Sequence, residues 1–152
     1  MRSMLPIAAL LLLSLNSGAL RASAASNTPP DPNSIDALEA RAEQAQPRDQ
    51  CFLYAKLVEQ MTELSIHQYS IGDVDQANGL LRRVQRITQK FHLSLKDNDK
   101  RLKDAQVLLS RTAFRLGEML QSSSVEERAL VQQTLSQVTD AKNEALMEVF
   151  KK

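Results

Sequence analysis

The chain has 152 residues, one cysteine and no tryptophan. A single Cys51 excludes an internal disulfide, so any folded domain must rely on its packed core. Nineteen basic side chains against 18 acidic give a formal net charge of +1, which is too even for a general nucleic-acid binder.

The N-terminus has the three parts of a signal peptide. Arg2 is a short basic region, Leu5 to Leu15 is apolar, and Ala22-Ser23-Ala24 is a small-residue cleavage site. Residues 1–24 are therefore expected to direct export to the periplasm or the outside and then to be removed. The apolar run is short for a bilayer span, and no later run is longer, so no stable membrane span is expected after cleavage. Loss of Arg2 and Arg21 leaves 17 basic and 18 acidic side chains. Residues 25–31 are polar and Pro-containing and read as a flexible tether. Residues 32–152 read as one helical domain.

Asp31-Pro32 opens a first helix as N-cap and first-turn proline, running to about Gln46. Its narrow stripe is Ile35, Leu38, Ala42 and Ala45. Pro47 separates it from a second helix, Arg48 to Tyr69, with Tyr54, Leu57, Val58, Met61 and Leu64 inside. Ser70-Ile71-Gly72 turns the chain. Asp73, with Gln76 three residues on, caps the next segment. That segment, from Asp73 to Gln121, carries the strongest pattern in the chain. Ala77, Leu80, Val84, Ile87, Phe91, Leu95, Leu102, Ala105, Leu109, Leu116 and Met119 recur at helical spacing, and only Asn98 and Thr112 interrupt them. The unbroken phase predicts one central helix over about 73–121, roughly 70 Å long at 1.5 Å per residue, with antiparallel hairpins folded back on its two halves. Lys96-Asp97-Asn98-Asp99-Lys100 is turn-like and supports the alternative: a four-helix up-and-down bundle with a short extra N-terminal helix. Ser124 and Glu127 form a capping box for a last helix to about Phe150, lined by Val131, Leu135, Val138, Ala145 and Val149. No strand signal occurs, and the fold class is all-α.

Two resemblances centre on the Gly72 turn. Leu64, Gly72, Val74, Ala77 and Leu81 fall at the spacing of a tetratricopeptide repeat, so the segment resembles one such repeat. Ser65, Gln68 and Gln89 stand where the repeat has a small residue, Tyr and Pro, and there is no second copy. The resemblance implies a single protein-interaction module. Gly72, Val74 and Ala77 followed by Phe91-His92 also resemble the last two helices of periplasmic four-helix b-type cytochromes. That likeness implies a haem ligand at His92. The family's opposing Met near the mature N-terminus has no counterpart here, and no cofactor is expected.

Hairpin geometry sets Cys51 opposite His92 and places Met147 opposite Asn98. Cys, His and Met together suit Cu(I) in an exported protein. The competing reading is an apolar knot at the level of Phe52, Phe91 and Phe150, where buried Cys and Met fill space; no metal site is expected. No nucleophile elbow, zinc-binding helix or phosphate loop occurs, and no catalytic residue is assigned, so the chain reads as a non-enzyme. Arg82, Arg83, Arg86, Lys90, Lys100 and Arg101 form a basic strip that either pairs with the acidic first two helices or faces an anionic envelope component. The expected function is binding or scaffolding of an exported protein partner, or self-association. The alternatives are a small-ligand or metal carrier and a single repeat-like interaction module.

Overall fold

The computed structural model describes residues 28–95 and 100–151. The expected signal peptide, residues 25–27 of the tether and the turn-like residues 96–99 lie outside the described residues. The described residues form five helices: α1 Pro32–Gln44, α2 Pro47–Ser70, α3 Val74–Ser94, α4 Leu102–Ser122 and α5 Val125–Phe150. Among the described residues there is no strand, as the all-α reading requires.

Local chemistry sets the joints. Pro32 stands in the first turn of α1, where its missing N–H costs nothing. Pro47 does the same for α2 and forces Gln46 into an extended conformation, ψ 144°. Only two residues then separate α1 from α2, so the two run antiparallel. After α2, Gly72 takes φ +83°, which a Cβ would oppose. The N–H of Asp73 reaches back to the Gln68 carbonyl at 2.9 Å, closing the helix end in a Schellman turn. The Asp73 carboxylate accepts from the Gln76 N–H at 3.3 Å and opens α3. At α5, Glu127 accepts from the Ser124 N–H at 3.3 Å, as the capping box requires.

The single long helix is not formed. α3 stops at Ser94, with Leu95 extended at ψ 113°, and α4 starts at Leu102. A straight helix would confine α2 to its first half and α5 to its second. Instead α2 packs on both α3 and α4, and α5 packs on both α3 and α4. Folding back lets each seam be covered from two sides rather than one. The outcome is the four-helix bundle with a short extra N-terminal helix. Helix directions alternate along the chain, yet α3 and α4 lie on a diagonal without contact. The bundle is two hairpins, α2/α3 and α4/α5, laid side by side in the same sense. Glu59 pairs with Arg111 and Glu63 with Arg115, a constant offset that shows α2 and α4 to be parallel.

α2, rather than the predicted 73–121 segment, is the central element. It touches α1, α3 and α4, and it is buried nearly all round, at Cys51, Leu53, Tyr54, Ala55, Leu57, Val58, Met61, Thr62, Leu64 and Ser65. The seam residues from Ala77 to Phe91 and from Leu102 to Met119 are buried as the spacing requires. Each large aliphatic side chain among them contributes about 1.5–3 kcal/mol by leaving water. On α5 the buried set is Val131, Thr134, Val138, Ala141 and Ala145, with Leu135 and Val149 half-buried.

Candidate functional site

The basic strip divides into internal staples and free surface. Arg83 donates to Asp36 at 2.8 Å and to Glu39 at 2.6 Å, joining α3 to α1. Burial alone would lower the Arg83 pKa, but the bonds from these two carboxylates hold it above its ordinary value. Lys90 pairs with Glu43 one helical stretch further on, and that hydrogen bond raises its pKa. Arg101 pairs with Asp104 at 2.9 Å and lays its guanidinium 3.5 Å over the Phe52 ring. Arg82 and Arg86 remain exposed on α3. Lys100 is exposed just before α4, its N–H donating to the Arg48 carbonyl at 3.4 Å. The six bases do not line one helix, because the strip's continuity depended on the long helix.

Acid–base pairing across helices is a general feature of this bundle. Arg115 bridges Glu63 at 3.0 Å and Glu118 at 2.8 Å, and its pKa is raised by both hydrogen bonds. His92 Nδ1 lies 2.6 Å from a Glu144 carboxylate oxygen, linking α3 to α5.

The speculative metal set occupies three environments. Cys51 is buried in α2. His92 is half-buried against Glu144, and Met147 is 61% exposed. Among the described residues no three His, Cys, Asp or Glu side chains are grouped to hold a metal ion. The three phenylalanines do not form a knot either. Phe91 is fully buried, Phe52 is half-buried under Arg101, and Phe150 is 79% exposed. Phe150 falls outside the core because the α5 seam ends with Ala145 and half-buried Val149.

Open clefts lie at both ends of the bundle among the described residues. One, of about 770 Å³, lies between α1 and the start of α4, over α2. Phe52, Leu53, Ala37 and Ala40 line it, with Arg41 and Arg101 at its rim. The other, of about 510 Å³, lies at the opposite end beside Tyr69, Arg115, Met119 and Glu127. Tyr69 donates to the Asn78 side chain. Burial and the Glu127 carboxylate push its pKa up, and Arg82 pulls against them.

The feature that sequence reading missed is on the outside. Val107 and Phe114 are 53% and 66% exposed, one heptad apart at the centre of the solvent face of α4. The signal was present as a second, weaker periodicity opposite the main seam. Leu93, Met147 and Phe150 are further exposed apolar side chains near the ends of α3 and α5.

Comparison with family models, with curated proteins and with solved structures finds no match. No helix among the described residues is long and apolar enough to cross a membrane.

Proposed function

We propose that this chain is an exported, non-enzymatic helical protein that binds another component of the extracytoplasmic space or associates with itself. Arg83, Lys90, Arg111 and Arg115 are held by acids on neighbouring helices of the same chain. Large apolar side chains nevertheless stay outside a bundle that has a continuous core. The exposed Val107–Phe114 pair on α4 is the observation that carries this reading. Export rests on the basic, apolar and Ala-Ser-Ala parts of residues 1–24. The anionic-component reading is narrowed to Arg82, Arg86 and Lys100, the strip residues with no ion pair among the described residues.

The test has two parts. Mass spectrometry of the exported protein should find a start near Ala25, and an intact Met1 in the cytosol would refute export. Chemical crosslinking in the intact extracytoplasmic fraction should give a discrete product, either with a second copy or with one recurrent partner. A single monomeric band would refute the binding role.

A second reading, a small-ligand carrier, is favoured by the cleft over Phe52 with Arg41 and Arg101 at its rim. Its volume is within the range of small-molecule sites; Asp49 also lines it and Arg101 is paired with Asp104, so Arg41 is the base left to meet an anionic group on an apolar molecule. A thermal-shift screen of medium-chain carboxylates would support it if melting rises in the native chain and not in Arg41→Ala.

A further inference from the structure

The solvent face of α4 carries a second stripe: Lys103, Val107, Ser110, Phe114, Gly117 and Gln121. The steps are four, three, four, three and four, the spacing of a two-helix seam. Among the described residues no other helix packs on it, since α4 meets only α2 and α5; Lys103, Val107, Phe114 and Gln121 are exposed, and Ser110 and Gly117 are half-buried. The face divides into two large apolar residues, two small ones and a polar residue at each end.

We propose that a second copy of this chain covers this stripe, with the two α4 helices antiparallel about a twofold axis near residue 112. This rests on the binding role proposed above and names its partner. In that register Phe114 meets Ser110 of the second copy, and Val107 meets Gly117. Every central layer then sets a large side chain against a small one, so the helices approach closely. The ends are complementary in charge. Lys103 is exposed and carries no ion pair among the described residues. Glu118, next to Gly117, is half-exposed and shares its carboxylate only with Arg115. The antiparallel arrangement brings Lys103 within reach of Glu118 of the second copy at both ends. A parallel pair would set lysine beside lysine and glutamate beside glutamate. Arg111, near the axis, is drawn toward α2 by Glu59 at 2.7 Å, so its charge is answered within its own copy.

Gly117 supports the same geometry. Glycine in a helix interior is less favourable than alanine. A Cβ at Gly117 would meet nothing within 4 Å in a single copy, so the bundle itself does not require the glycine. The position facing Val107 of a second copy does.

The contact is one helix pair about 28 Å long, counting 19 residues at 1.5 Å. It is at the small end of specific interfaces, and the expected dissociation constant is micromolar. Sedimentation equilibrium of the full exported chain should show a reversible monomer–dimer equilibrium in that range. Phe114→Glu should abolish the dimer with the helical spectrum unchanged, since the side chain is exposed. Lys103→Glu should weaken it, and Lys103→Glu with Glu118→Lys should restore it. Gly117→Ala should raise the melting temperature of the monomer yet weaken the dimer roughly tenfold, a split that a purely structural role would not give. A chain that is monomeric into the high micromolar range, or a dimer that survives Phe114→Glu, overturns the proposal. A monomer that still crosslinks to a different protein also overturns it, while leaving the broader binding role standing.

Discussion

Replacing Ile35 by Ala is expected to release α1 while α2 to α5 stay folded. Two kinds of contact hold α1. Ile35 and Ala42 are fully buried and Leu38 is 9% exposed, and α1 packs on α2. On its other flank, Asp36, Glu39 and Glu43 pair with Arg83 and Lys90. Truncating a buried Ile to Ala costs about 2–4 kcal/mol, transfer and cavity together. The ion pairs are partly solvated, with the Asp36 side chain 65% exposed, so each contributes no more than about 1 kcal/mol. The apolar anchor therefore outweighs the staples. A helix of 13 residues is marginal by itself in water, so undocking should also unwind it. Hydrogen exchange read by mass spectrometry separates the cases. In Ile35→Ala, the amides of α1 should exchange about 30-fold to several hundred-fold faster, at about 1.4 kcal/mol per factor of ten. The amides of α4 and α5 should keep their native rates. Arg83→Ala removes two of these ion pairs and should accelerate α1 by no more than about 30-fold, and salt should mimic it. If Arg83→Ala loosened α1 more than Ile35→Ala does, or if Ile35→Ala accelerated α5 as much as α1, the reasoning would fail.

Thr62→Val should stabilise the protein by about 1 kcal/mol, because the Thr62 hydroxyl is buried with no hydrogen-bond partner among the described residues; a lower denaturation midpoint in urea would contradict this. Tyr69 and Lys90 both have raised pKa values, so the stability they contribute is complete below their ordinary values near 10.0 and 10.5 and is lost as the pH rises through the higher folded values. Melting temperature should accordingly fall above about pH 10, less steeply in Tyr69→Phe, and equal slopes for the two proteins would remove Tyr69 from the account. Cys51 should react with a thiol reagent only on unfolding, since it is fully buried. Rapid labelling of the native chain, or a reducible dimer on a non-reducing gel, would place it at the surface instead.

Much of this fold was legible because its seams are regular. The buried faces of α1, α3 and α4 follow the apolar spacing almost residue for residue, and the caps at Asp73 and Ser124 lie where side-chain chemistry puts them. Two features were hidden for physical reasons. α3 ends at Ser94 and α4 resumes in seam phase at Leu102, so periodicity alone reads straight through; what favours two helices over one is tertiary, the burial of Leu102, Leu109 and Leu116 in a shared core. The central place of α2 was hidden because a helix buried on three sides has no single stripe. Leu53, Ala55 and Ser65 lie outside the stripe of Tyr54, Leu57, Val58, Met61 and Leu64, yet all three are buried in a helix that α1, α3 and α4 surround. The basic strip was visible as composition, but its division into staples and free surface depends on which acids α1 brings to Arg83 and Lys90. The α4 outer stripe was overlooked because Val107 and Phe114 are only two residues beside a main seam several times longer.

Site-specific photocrosslinking in the intact cell tests the central claim most directly. A photoreactive residue placed at Phe114 should capture a second copy of the chain, whereas the same residue at exposed Gln89 on α3 should capture none. Capture from Gln89 together with silence at Phe114 would contradict the account.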